Sequence, residues 1–253
     1  MITSATTPAQ QAEFARRIAG KPYFAAVMGT ALTLFGQKPG SGWSFYLLPG
    51  GALALRGGTA TLCGALPDAD TAEELQSFLQ FVRTDRILTE HPLPFGTEAP
   101  PLTLWHLPKG GALPLPPAPP AALTLTEQPA MLPVSRLAFA DEAQADGFYS
   151  AACTAMAHGI GGCHALLQDG APVCTVGCFS QSRTESYMSA GVTAPAWRGK
   201  GLAGWLIVRM ANGLAQQRDV IFACEPALNG WYRSLGFTQN GMIQQYITDW
   251  NTL

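Results

Sequence analysis

Pro195-Ala196-Trp197-Arg198-Gly199-Lys200-Gly201-Leu202-Ala203 is the stretch on which the reading of the fold turns. Before it, residues 185–192 have the apolar character of a strand. After it, Leu202, Leu206, Met210 and Leu214 recur every fourth position through residues 202–217, as on one face of a helix. A strand, a glycine-rich turn and an amphipathic helix in that order make an anion site on physical grounds. The first turn of a helix presents amides without intrahelical partners and the positive end of its dipole. Gly199 and Gly201 carry no side chains, so a phosphate can approach the backbone there, and Arg198 and Lys200 add charge at the rim. A bare Gly-x-Gly turn is common and carries little alone. The stretch is not a Walker A loop, because no Gly-Lys-Ser/Thr follows a glycine at the required spacing, and it lacks the Gly-x-Gly-x-x-Gly dinucleotide fingerprint.

Working outward, residues 220–224 read as a short buried strand. Asn229-Gly230-Trp231-Tyr232-Arg233-Ser234-Leu235-Gly236-Phe237 then reads as a short helix closed by a glycine C-cap, and residues 237–247 supply closing strands. Upstream, residues 141–158 look helical with Asp141 as N-cap, and residues 163–168 and 172–179 flank Asp169-Gly170, a hairpin signal. The order is helix, three antiparallel strands, helix, strand, helix, strand, strand. That is an α/β chain with an α+β-type mixed sheet.

The first of these segments resembles motif A of the GNAT N-acetyltransferase superfamily, with signature Arg/Gln-x-x-Gly-x-Gly/Ala; Arg198, Gly201 and Ala203 fill its three fixed places. The second resembles the Tyr-x-x-x-Gly-Phe element of the same family, through Tyr232, Gly236 and Phe237. On its own, a tyrosine there is an amphipathic packing residue. The resemblance covers residues 125–253. It implies a GNAT-like acyl-CoA N-acyltransferase fold with acetyl-CoA as co-substrate and no metal. It further implies that amides from Gly199, Lys200, Gly201, Leu202 and Ala203, with Arg198, hold the pyrophosphate. Backbone amides around Val192 and Thr193 would hold the acyl carbonyl as the amine attacks it directly, and Tyr232 would protonate the departing thiolate. The implied acceptor is a primary amine of a small molecule or peptide. Many relatives carry an asparagine at the start of the final helix; Glu225 stands at the corresponding place here, with Asn229 one turn later as the alternative contact. No general base is evident. Glu185 is a candidate, although a solvated strand residue is the plainer reading, and His158 and His164 read as structural.

Upstream of this region, residues 107–122 hold six prolines and form an extended connector. The boundary it suggests falls near residue 120, giving an N-terminal α/β subdomain at 1–120 and a catalytic domain at 121–253. Helical character at 8–18 and 24–34 precedes short apolar runs at 44–48, 52–56 and 60–62, split by Pro49-Gly50-Gly51 and Gly57-Gly58. A helix at 71–83 with Thr71 as N-cap and strands at 86–88 and 102–107 follow. Meander, helix, strand is a faint echo of the second half, which makes the first a degenerate GNAT-like copy. Its equivalent turn carries Asp68 and Asp70 in place of basic residues and glycines, so it should hold no cofactor. Covering the acceptor cleft or forming a homodimer is its expected task.

The chain has 253 residues, 47% hydrophobic and 13% charged, with a net charge of -2. This excludes a disordered chain and gives no support to a nucleic-acid partner. Cysteines at 63, 153, 163, 174, 178 and 224 form no Cys-x-x-Cys pair and read as small buried hydrophobes rather than metal ligands. Residues 24–35 are apolar but too short to span a membrane and follow a polar lead, so a buried helix, no membrane partner and a cytoplasmic setting are expected. A catalytically idle acyl-CoA-binding or interaction protein with the same fold is the alternative to an enzyme.

Overall fold

The computed structural model describes residues 1–250. Its first half runs β1 (Thr3–Ser4), α1 (Pro8–Ile18), α2 (Pro22–Phe35), β2 (Trp43–Leu48), β3 (Gly51–Arg56), β4 (Thr59–Cys63), α3 (Ala69–Phe81) and β5 (Arg86–Thr89). β1 to β4 pair antiparallel, as their short links allow, whereas β5 returns parallel to β4 after the α3 crossover. α3 begins earlier than its apolar stripe suggests. Asp68 is its N-cap, accepting from the Thr71 amide at 2.7 Å, so Thr71 lies inside the helix.

The second half runs β6 (Thr97–Leu107), β7 (Thr124–Thr126), α4 (Met131–Ala138), α5 (Glu142–Ala157), β8 (Gly162–Gln168), β9 (Ala171–Gln181), β10 (Glu185–Thr193), α6 (Leu202–Ala215), β11 (Asp219–Cys224), α7 (Asn229–Ser234) and β12 (Thr238–Ile247). From β7 to β11 the elements and pairing senses repeat those from β1 to β5: four antiparallel strands, then a helix and a parallel return. The echo read in the sequence is therefore a structural repeat. α4 was not legible, because Pro133 in its first turn looks like a breaker although proline is tolerated there. Residues 238–247 form one strand rather than two.

The chain forms two compact units, and they are not consecutive in sequence. One comprises Met1–Leu104, Ala223–Asn229 and the segment from Asn240 onward; the other comprises Trp105–Phe222 and Gly230–Gln239. This differs from a single break near residue 120 for two reasons. The last strand, β12, pairs antiparallel with β5, and buries Tyr246 in the core formed by Leu53, Leu62, Leu75 and Ile87. The start of the proline-rich connector is tied to the second unit: the Gly110 amide donates to Ala215 O at 2.7 Å, and Asn212 both accepts from the Leu113 amide and donates to its carbonyl at 2.8 Å. Within that unit α6 lies on the sheet with Leu202, Leu206 and Met210 buried and Leu214 half-exposed.

Candidate functional site

β10 leads to the site, and it is irregular where it should be. Ser189 pairs with Gly177 and Val192 with Thr175, so Ala190 and Gly191 together oppose Val176 alone. This is a β-bulge, a device that redirects a strand and is common beside active sites. Ala190 takes a positive φ of 52°. The fully buried Thr175 hydroxyl donates to the Ala190 carbonyl at 3.0 Å and holds that conformation. On its other edge β10 pairs with β11 only from Glu185 to Tyr187. The rest of that edge is left for another extended chain. The Ala194 amide donates to Val173 O at 2.8 Å, towards β9. Alternation along the strand therefore turns the Thr193 N–H towards the open edge and the Val192 N–H towards β9.

Pro195–Trp197 form one 3-10 turn, and the chain then climbs into α6 through two left-handed glycines, Gly199 at φ 74° and Gly201 at φ 75°. A side chain at either would be strained, yet no atom lies within 4 Å of where its Cβ would sit. Both backbones therefore face open space, as a phosphate cradle requires. Gly201 is the N-cap of α6 and offers no side-chain cap. The amides of Leu202 and Ala203 open the helix, while the Leu202 side chain is buried and belongs to the core. Arg198 Nε donates to Thr193 O at 3.1 Å, clamping the loop to the strand end. Lys200 lies over the Trp197 ring with its Nζ 4.3 Å from the centroid.

The second motif meets the first at a residue the sequence reading passed over. A Cβ on Gly204, in the first turn of α6, would lie 3.2 Å from Leu235 Cδ2 and 3.7 Å from Trp231 Cζ2. A glycine there allows the Trp231–Leu235 segment, which carries Tyr232, to press against the helix start. The Tyr232 ring is fixed by Phe222 at 4.5 Å and Trp231 at 4.7 Å, with Trp105 and Phe237 each 6.1 Å away between centroids. Asn229 is the first residue of α7, because Pro226–Leu228 form a separate 3-10 turn after β11. An asparagine thus does begin the final helix, and its Oδ1 accepts from the Cys224 thiol at 3.7 Å.

Glu185, the candidate base, and the two histidines take other roles. Glu185 is buried and accepts from the Ser182 hydroxyl at the far end of β10, about 26 Å from Thr193 at a strand's rise of about 3.3 Å per residue. It is neither solvated nor near the loop. His158 caps α5 with Nδ1 2.8 Å from Thr154 O. His164 is on β8, and burial pushes its imidazole below the ordinary range, with Arg209 adding to the shift and Glu127 opposing it. Among the described residues no group of three or more histidines, cysteines or carboxylates is placed to hold a metal, and no helix is long and apolar enough to cross a membrane.

A strand, a glycine loop feeding a helix and a parallel return fit the resemblance read in the sequence, and solved structures share the fold. A tandem GNAT protein from the clavulanic acid biosynthesis pathway superposes with a TM-score of 0.62 at 14% identity, over 99% of this chain and 99% of its own. A GCN5-related N-acetyltransferase from Sphaerobacter thermophilus gives 0.63 at 12% identity, over 98% and 96%. One from Kribbella flavida gives 0.61 at 15% identity, over 87% and 94%. The protein has the GNAT fold, with a GNAT-like arrangement in each half. No family model and no curated relative matches the sequence.

Proposed function

We propose that the protein is an acetyl-CoA-dependent N-acetyltransferase that acylates a primary amine of a small molecule or peptide. The observation that carries this reading is the loop from Gly199 to Ala203: two left-handed glycines facing open space at an uncapped helix start, pressed at Gly204 by the segment bearing Tyr232. Amides from Gly199 to Ala203 suit a pyrophosphate by their direction and by the helix dipole. The Thr193 N–H, on the edge of β10 that β11 leaves open, suits a thioester carbonyl and the charge that develops on its oxygen. Tyr232 is the proton donor for the departing thiolate, its ring held by four aromatic neighbours. Orientation of two bound reactants supplies most of the rate, and the attacking amine gives up its proton to solvent water as the amide forms.

The test is a panel of amino acids, aminoglycosides, polyamines, arylamines and peptide N-termini incubated with acetyl-CoA, following free CoA by a thiol reagent and the acetylated product by mass spectrometry. Amine-dependent release of CoA with a matching acetylated product is expected. Tight binding of acetyl-CoA without transfer to any class would leave an acyl-CoA-binding protein, and failure to bind it would sink the reading altogether.

A further inference from the structure

The transferase reading leaves the proline-rich connector without a task. From Leu113 to Pro120 it reads Leu-Pro-Leu-Pro-Pro-Ala-Pro-Pro, and five of those eight residues have no backbone N–H to donate. A proline fixes its own φ and pushes the residue before it into the extended region, so this run is held extended before anything binds it. It contains neither helix nor strand, and its one bend is at Pro117. Burial repeats at every third residue: Leu113, Pro116 and Pro119 are half-buried, while Pro114, Leu115, Pro117, Ala118 and Pro120 are exposed. Three is the period of a polyproline II helix, here with one edge on the protein and two turned outward. The Asn212 side chain ties its start, accepting from the Leu113 amide and donating to its carbonyl. Leu115 is 53% exposed on the outward side, and residues 110–126 carry no charged side chain.

Ridges of this kind are bound by grooves lined with aromatic rings. Flat rings take up the proline faces, and a polyproline II backbone, unbonded within itself, accepts from donors on the groove walls. The first unit has such a groove, of about 320 Å³, between the end of α2 and β2. Three rings stand nearly parallel in its lining: Phe35 and Trp43 at 6.3 Å and 11°, Trp43 and Phe45 at 5.9 Å and 6°. Phe35 and Trp43 are half-buried, so part of each ring stays open. Trp43, Ser44 and Tyr46 add an indole N–H and two hydroxyls to the lining, and Lys38 is its one charged side chain. β1 pairs with β2 only at Tyr46 and Leu47, and the Ala5 amide donates to Phe45 O, so the strand edge at Trp43 and Ser44 is not covered by β1.

We infer that these two surfaces join copies of this chain: the connector ridge of one molecule docks in the Phe35–Trp43–Phe45 groove of a second. The ridge is uncharged, so Lys38 meets carbonyls and no like charge. The ridge is also rich in acceptors and poor in donors, which suits the indole, hydroxyl and ammonium donors of the groove. Its preset conformation keeps the ordering cost of docking low.

The experiment is sedimentation velocity on the full chain over a range of concentrations, and reversible self-association is expected. Leu115→Asp, at an exposed position outside the core, should weaken it about tenfold or more, because a charge replaces an apolar side chain at the contact. Trp43→Ala should do the same from the other side. A mixture of the two variants should associate where neither does alone, since one keeps the groove and the other the ridge; a loss of folding would not be rescued in that way. A synthetic peptide of residues 112–121, titrated into the 15N-labelled full chain, should shift the amides of Trp43, Phe45 and Tyr46 saturably. The inference is overturned if the chain stays monomeric at every concentration, or if the mixture does. It is equally overturned if association survives Leu115→Asp, which would place the contact on another face, or if the peptide leaves those amides unmoved. A peptide that moves them while the chain stays monomeric would assign the groove to a proline-rich segment of a different protein, and self-association would fall.

Discussion

Tyr232 shows how packing and chemistry share one side chain. Four aromatic rings hold it, and a phenylalanine would keep every ring contact. Tyr232→Phe should therefore change stability by no more than about 1 kcal/mol, the net worth of a typical hydrogen bond. The hydroxyl matters when negative charge appears on sulfur, so its loss belongs in kcat and not in acetyl-CoA affinity. General acid catalysis is worth about 10²–10⁴-fold, and a thiolate, already a fair leaving group, points to the low end. Steady-state kinetics with unchanged kcat would reduce Tyr232 to a packing residue. A second residue-scale expectation concerns alkali. Burial pushes the Cys63 and Cys163 thiols up to about 12 from an ordinary value of 9.0. Above the ordinary value the unfolded chain loses those protons first, so stability is full below about pH 9 and declines as pH rises towards 12. Lys21 acts in the same sense: burial disfavours its charge, but the hydrogen bond to Glu90 outweighs that and raises its pKa above the ordinary 10.5. Urea midpoints that stay level between pH 8 and about pH 10.5 would contradict this.

α6 and α3 occupy equivalent places in the two repeats, and their N-termini differ in kind. α6 opens on a glycine with nothing capping it, whereas α3 is capped by Asp68 and carries Asp70 in its first turn. In the first unit β5 also pairs with β4 along its full length, from Arg86 to Thr89, so no edge opens there. Glu90 then takes the Gly64 amide at 2.8 Å and the Lys21 ammonium, filling that strand end from within. Titration calorimetry should accordingly count one CoA per chain, and two would refute the comparison. Gly201→Asp should abolish binding in a folded protein: it imposes a side chain at φ 75° and a negative charge where phosphate belongs. Unchanged affinity in that variant would move the cofactor elsewhere. These contrasts were partly legible, since the aspartates and glycines are visible as letters. The bulge at Ala190 was not, because it depends on Thr175 reaching across from the neighbouring strand.

The two units show where sequence reading stops at the scale of the molecule. Repeat order, the glycine loop and the helix bearing Tyr232 could all be read from local pattern, because turns and caps are local. The membership of β12 could not, since a run of alternating residues does not name its partner. One of its partners is β5: Arg86 reaches Gln245, 159 positions away, and Gln244 to Ile247 pair with Arg86 to Thr89. The proline-rich connector, the strongest composition break, therefore does not separate two independent folding units. Removing residues 240–253 should expose the free edge of β5, strip Tyr246 from the core of the first unit and orphan the Leu93 amide, which donates to the Tyr246 hydroxyl at 3.1 Å. Burying one large side chain contributes about 1.5–3 kcal/mol, and Ile243 and Tyr246 are both buried, while a domain's whole stability is about 5–15 kcal/mol. The first unit should then unfold or fluctuate globally. Hydrogen exchange on a chain ending at Gln239 is the check: amides of β3, β4 and β5 should lose protection, while those of β8, β9 and α6, which belong wholly to the other unit, keep most of theirs. Equal loss in both would mean that the units fold as one cooperative body. Full protection of β5 would mean that β12 is dispensable and that a cut near residue 120 could separate the halves after all.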